Sequence, residues 1–281
     1  MLQYFLDNHY TSAFQRDYTP TLEYVCNVGP DSSHMPRTMH EHDHLVEILL
    51  LYGGAGIYMI DANRYTAQRG DIILYNSRTV HDEFGGNGSD LSTYCIAISG
   101  LRLPGLPEDT ILPKGYSPVL PAGKDFEDIL TLYRLIENAC HQPGGAETAN
   151  YLARALVLKI IARIRTNGKP LEEQKASLAT LIKAYLDKHY RENIHLEDIA
   201  SATNSNAYYL SHVFKSDIGL SPMRYVALRR LGEAQNLLIN TNMTVTQIAA
   251  SIGYNNSNYF QNVFRNAIHM TPGEYRRKWT R

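Results

Sequence analysis

The sequence predicts an α+β protein of more than one domain: a β-barrel first, then helices, then an all-α region in which two helix-turn-helix units are joined by a long helix. Three observations predict it. Between residues 20 and 100, short runs rich in Val, Ile, Leu and Tyr are broken by Gly, Asn and Asp, the pattern of closely spaced strands in a sandwich or barrel. Beyond residue 120 the apolar spacing changes to that of helices. Last, one pattern occurs twice, beginning at residues 196 and 245 and continuing into second apolar runs at 209–215 and 259–265, fifty positions apart.

The chain of 281 residues has room for two cores, and its composition is that of an ordinary globular protein. A net charge of −1 conceals an asymmetry: cations are in excess from residue 171 onward and acids before it, so only the C-terminal part leans toward a polyanion. Cys26, Cys95 and Cys140 are few, odd in number and without Cys-x-x-Cys spacing, which points to a reducing compartment. The N-terminus lacks the basic start and apolar core of a signal peptide, and no apolar run is long enough to span a membrane. A cytoplasmic location without a membrane partner is expected.

Strands are expected at residues 22–28, 45–52, 56–60, 71–75 and 92–99, with a tight hairpin turn at 61–64. Gly53, Gly54 and Gly56 lie between strands rather than before a helix, so they read as a turn and not as a phosphate loop. Residues 101–124, rich in Pro and Gly, read as an irregular loop.

Two clusters stand out in the strand region: His40, His42 and Glu47, then Gly70 and His81. Their spacings resemble the two motifs of the cupin barrel, His-x-His-x₄-Glu and Gly-x₁₀-His, in which three His and one Glu project inward. Asn76 and Arg78 depart from the usual Pro and Gly of the second motif. Three imidazoles and a carboxylate suit Zn, Fe, Mn or Ni, which is one reading of the cluster. In the other, His40, His42, Glu47 and His81 line an effector pocket with Tyr58 and Tyr75, phenols offering a flat face and a hydroxyl to a sugar or another organic ligand. The second is favoured, so neither a metal nor a cofactor is expected.

Two helices follow. Phe126, Ile129, Leu130, Leu132, Tyr133 and Ile136 mark one; Leu152, Leu156, Val157, Ile160, Ile161 and Ile164 mark the other, with Pro143, Gly144 and Gly145 as the break. The second is more apolar than a lone surface helix needs, which points to packing on the barrel or to a two-fold partner. Residues 166–175 read as a linker.

In the second copy of the repeat, Thr244 and Gln247 have capping-box spacing, Ile248, Ala249 and Ile252 make an apolar face, and Gly253 supplies a turn residue. Asn255 is then expected to cap a helix with Tyr259, Phe260, Val263 and Phe264 inside and Asn256, Ser257, Asn258, Gln261, Asn262 and Arg265 outside. The first copy matches, with Ile199 and Ala200, a turn at Asn204 and Asn206, then Tyr209, Leu210, Val213 and Phe214 inside and Tyr208, Ser211, His212 and Lys215 outside. The outer groups suit DNA, since amides pair with adenine while cations and hydroxyls reach phosphate. After each copy Ser221 or Thr271 caps a helix opened by Pro222 or Pro272, and 222–239 runs without a breaker.

Residues 178–278 resemble the DNA-binding domain of the AraC/XylS family of bacterial transcriptional regulators. The carriers include Ile199–Ala200, Tyr209–Ser211, Phe214–Lys215, Gly219–Pro222, Arg230–Leu231, Ile248–Ala249, Gly253–Tyr254, Tyr259–Phe260, Thr271–Pro272 and Tyr275–Arg276. His269 stands where the family has Gly, which predicts a less sharp turn, and His212 and Asn262 stand where Arg is common. The resemblance implies a cupin-like effector-binding barrel over 1–122, helices for dimerisation and a linker over 123–170, and a DNA-binding domain over 178–278 with helix-turn-helix units at 196–217 and 245–267. The expected partners are promoter or operator DNA, a small effector such as a sugar, a second copy of the chain and, for an activator, RNA polymerase. The expected activity is effector-controlled transcription regulation, activation being the commoner role in the family. The alternative is a metal-dependent cupin enzyme, a dioxygenase or sugar isomerase, with a helical assembly domain.

Overall fold

A computed structural model describes residues 2–6, 9–15, 18–29, 38–61, 63–82, 91–171 and 177–279. Strands β1 (Thr21–Val28), β6 (Ser92–Ser99), β2 (Val46–Gly53), β5 (Asp71–Tyr75) and β7 (Val119–Pro121) form one antiparallel sheet in that spatial order, and β3 (Ala55–Ile60) pairs with β4 (Asn63–Gln68) in a ribbon. The alternation of side chains across each strand divides the apolar residues between two cores. Val46, Ile48, Leu50, Ile72, Leu74, Ile96 and Ile98 face α1 (Phe126–Cys140) and α2 (Ala146–Asn167), whereas Leu49, Leu51, Ile73, Tyr75 and Cys95 pack with Tyr58, Ile60 and Ala67 of the ribbon. Both faces of the central strands are therefore covered, which is why β2 reads as an almost unbroken apolar run.

Strands β4 and β7 were not expected. The first is polar and exposed at alternate positions, and the second is three residues long inside a Pro-rich stretch, so neither carries a strong apolar signal. Gly54, at φ 74°, makes the expected turn between β2 and β3. The turn expected at 61–64 includes residue 62, which lies outside the described residues, as do residues 172–175 of the expected linker. The apolar face of α2 is accounted for within one chain. Ile160 and Ile164 lie in the core shared with α1 and the sheet, so packing on the sheet explains that face without a partner.

The C-terminal half consists of α3 (Leu178–His189), α4 (Leu196–Ala202), α5 (Ala207–Ile218), α6 (Pro222–Asn240), α7 (Val245–Ser251), α8 (Ser257–Ile268) and α9 (Pro272–Trp279). It has two cores, one where α3, α4 and α5 meet the start of α6 and one where α7, α8 and α9 meet its end. Ser221 accepts a hydrogen bond from the Arg224 amide beside Pro222, and Thr244 with Gln247 closes a capping box, as the sequence predicts. Arg230 donates to the carbonyls of Tyr190 and Glu192, and Arg276 to those of Leu238, Thr241 and Met243, so each holds chain ends that a helix leaves without partners.

One expectation about the turns is corrected. His269 does not soften the bend after α8: it takes φ 60° and caps the helix in the left-handed region, as Gly219 does after α5 at φ 82°. The helix-end hydrogen bond from the His269 amide to the Arg265 carbonyl holds it there. A left-handed non-glycine residue is strained, so His269→Gly is expected to raise stability by about 1 kcal/mol in urea unfolding. An unchanged or lower midpoint would show that the imidazole makes up the difference.

The two halves meet along α6. Met39, Met59 and Val80 from the strand region enter the core formed by α3, α5 and α6. Arg229, 1 % exposed, bonds Glu41 at 2.6 Å and Asp187 of α3 at 3.1 Å. Gln235 accepts from the amide and hydroxyl of Thr38 at 3.0 and 2.9 Å. Between them Gly232 lies against the Met39 carbonyl so closely that a Cβ there would sit 2.0 Å from the oxygen. Glycine is required at that position by contact, not by φ.

Candidate functional site

Helices α5 and α8 are built alike. Leu210, Phe214 and Ile218 are buried in one, Phe260, Phe264 and Ile268 in the other, at spacings that leave the opposite side to solvent. Of the residues expected to contact DNA, Tyr208, His212, Lys215, Asn258, Asn262 and Arg265 are exposed, while Ser211, Ser257 and Gln261 are half-buried on the same helices. Lys215 and Arg265 each stand in the last turn of their helix.

Asn206 and Asn256 are the helix N-caps, accepting from the amides of Tyr209 and Tyr259 at 2.8 and 3.0 Å. The cap of α8 is thus Asn256 and not Asn255, one residue later than the spacing suggested; Asn255 is exposed. With the side-chain oxygens held this way, each Asn offers DNA its NH₂ group. Tyr209 and Tyr259, expected inside, are 54 % and 61 % exposed, because they stand in the first helical turn where the core has not yet closed. They widen the outward faces by one aromatic each, and a heptad count starting at Leu210 and Phe260 would have found them.

In the other half, His40, His42, Glu47 and His81 converge, with one donor atom from each lying within 4.8 Å of all the others. Glu47 comes from β2; His40 and His81 face each other across reciprocal backbone hydrogen bonds of 2.9 Å. The His81 Nε2 lies 2.9 Å and the His42 Nε2 3.6 Å from Glu47 Oε2. The Nδ1 atoms of His40 and His81 point instead to the carbonyls of Thr38 and Thr79, both at 2.9 Å. Burial pushes the Glu47 carboxyl up, but the hydrogen bond and charge of His81, with His42 and His40 beyond, hold it well below the usual carboxylate range. The Tyr24 hydroxyl also donates to Glu47, a contact that the single-strand pattern of β1 did not reveal.

Tyr75 stacks on the His81 ring at 3.9 Å, whereas Tyr58 belongs to the core between sheet and ribbon; each is 1 % exposed. A cleft of about 380 Å³ beside Tyr65, Asn76 and Tyr116 is lined by none of the six residues expected to bind an effector. His40, His42, Glu47 and His81 therefore form a compact polar centre, and the tyrosines pack around it.

Comparison with known proteins follows the same division. Residues 26–154 match the AraC-like ligand binding domain, and residues 199–278 match a helix-turn-helix domain, together well over half of the chain. The uncharacterized HTH-type transcriptional regulator YdiP of Escherichia coli K12 is 28 % identical, over 99 % of this chain and 93 % of its own. The HTH-type transcriptional activator RhaS of an Enterobacter species is 26 % identical, over 84 % and 86 %. The C-terminal domain of AraT, a response regulator from Geobacillus stearothermophilus, is 28 % identical over 38 % of this chain and 91 % of that domain, with a TM-score of 0.37. The chain belongs to the AraC family of transcriptional regulators, with an N-terminal ligand-binding domain and a DNA-binding helix-turn-helix domain.

Proposed function

We propose that α4–α5 and α7–α8 are two helix-turn-helix units joined by α6, that they read successive major grooves, and that the protein activates transcription as a homodimer contacting RNA polymerase. The observation that carries this reading is the matched pair α5 and α8: in each an Asn cap, a buried apolar triad at the same spacing and a cation in the last turn. Nineteen residues of α6 at ~1.5 Å each separate them by about 28 Å, close to the ~34 Å turn of B-DNA once the flanking turns are added. The units of the chain in this reading are 1–122 for the effector, 123–170 for dimerisation and 178–278 for DNA. Activation is supported by the activator RhaS among the relatives.

Selection from a random duplex library with the full chain tests this. A bipartite site with half-sites about 10 base pairs apart is expected. Gln261→Ala should then weaken the selected site by ~1–3 kcal/mol and relax preference at one or two base pairs. Lys215→Ala should weaken all sequences alike and lower the salt slope by about one. No enriched site, or a Gln261→Ala protein that selects the original site with the original stringency, would show the reading helices to be misplaced.

The dimer surface in this reading moves from the buried Ile160 and Ile164 to Tyr151 and Leu158, two turns apart on α2 and 61 % and 42 % exposed. Leu158→Glu is expected to give a folded monomer by light scattering with weaker DNA binding. A dimer that survives the change would place the two-fold contact elsewhere.

A further inference from the structure

The compact centre of the N-terminal half lies one residue from the contact with α6. Along the segment 38–41, Thr38 bonds Gln235, Met39 lies against Gly232, His40 enters the centre and Glu41 bonds Arg229. Thr38 takes part on both sides: its amide and hydroxyl donate to Gln235 of α6, and its carbonyl meets the His40 Nδ1. Whatever fixes His40 therefore fixes the strip of chain against which α6 rests.

The donor set indicates what could fix it. Three imidazoles and an anionic carboxylate are the ligands of a divalent first-row transition metal rather than of Ca²⁺ or Mg²⁺. A hydrogen bond from Nδ1 to a backbone carbonyl is the usual device that turns the Nε2 lone pair toward a metal, and His40 and His81 both have the required partner. Bonds of about 2.0–2.2 Å to one ion place its ligands roughly 3–4 Å apart, so donors already within 4.8 Å need to close only slightly. The same spacing is too small to admit a sugar ring between them.

We propose that His40, His42, Glu47 and His81 bind a divalent transition-metal ion, and that the ion holds segment 38–41 against α6, so that metal occupancy sets how the DNA-binding half is carried. This rests on the N-terminal half being the sensor, and it names the class of ligand sensed. His42 is the residue at the edge of the site, with 12 % of its side chain exposed, and offers the ion its entry.

The test uses the full chain, stripped with a chelator and titrated with Zn²⁺ and with Mn²⁺. One ion per chain is expected, with affinity at least about tenfold lower in His42→Ala and in His81→Ala; His42→Ala keeps the test readable if His81→Ala does not fold. Addition of the ion should slow amide hydrogen exchange in 38–41 and in the middle of α6. Gln235→Ala touches none of the four donors, yet by reciprocity of coupled sites it should bind the ion several-fold more weakly and lose the slowing in α6. Absence of stoichiometric binding, or ligand variants with unchanged affinity, would overturn the metal site. Tight binding that leaves α6 exchange and the Gln235→Ala affinity unaltered would overturn the coupling. A selected DNA site obtained in either case leaves the regulator reading intact.

Discussion

Phe264→Ala is expected to remove about 3–5 kcal/mol of stability and, with it, sequence-specific DNA binding. Phe264 is fully buried and lies edge-on to both Phe260 and Tyr275 at centroid distances of 5.8 and 5.6 Å, so its loss opens a cavity between α8 and α9. Among the described residues, the core it belongs to is built from α6 to α9 and the turns between them, whereas the sheet packs on α1 and α2. Urea unfolding followed by circular dichroism should therefore show an early loss of helix with the sheet transition in place. A single unshifted transition would mean that α8 collapses around the gap.

Arg229→Ala should be the next most damaging change, costing about 3 kcal/mol, because it takes their shared cation from the carboxylates of Glu41 and Asp187, the second of which keeps Lys183 at 2.6 Å. The figure is at the lower end for a broken buried pair since both carboxylates keep some access to water, 31 % and 20 % by side chain. The guanidinium also lies 4.8 Å over the Tyr190 ring, a contact a lysine would not reproduce equally well. Thermal melts of Arg229→Ala, Arg229→Lys and the unchanged chain should rank in that order from least to most stable. Equal melting temperatures for all three would show that the ion pair and its desolvation cancel.

The C-terminal half was the more legible part of the sequence because its signals are local. A cap, a turn and an apolar triad fall within about a dozen residues, and they were read twice. The errors there were of one position, as at Asn256, or of one turn, as at Tyr209 and Tyr259, where helical spacing alone does not say which side of a first turn the core reaches. The roles of Arg230 and Arg276 were hidden for a different reason: each holds carbonyls more than thirty residues away.

In the N-terminal half the convergence of His40, His42, Glu47 and His81 was foreshadowed by spacing, but not its closeness. Tyr58 and Tyr75 appeared as ligand contacts, and the structure places both in the buried packing beside the centre. Nothing in the sequence marked the contact with α6, since Arg229 meets Glu41 across 188 residues and Gln235 meets Thr38 across 197. Such pairs leave no periodicity to find. Cys26 and Cys95 show the same limit, being remote in sequence and opposite one another in neighbouring strands.

Gly232 stands close to the midpoint of α6, and the bare backbone there rests on the Met39 carbonyl. A rod supported near its centre behaves as a balance beam with Met39 as its fulcrum. Each arm is about 14 Å long, so a 10° tilt carries either end sideways by roughly 2.5 Å, and the two ends go opposite ways. That travel is most of one base-pair step of about 3.4 Å. If the two ends carry reading helices in successive grooves, as proposed above, such a tilt would put them out of phase with the duplex, one advancing as the other retreats, and the core that Met39, Met59 and Val80 share with the start of α6 would have to yield to it.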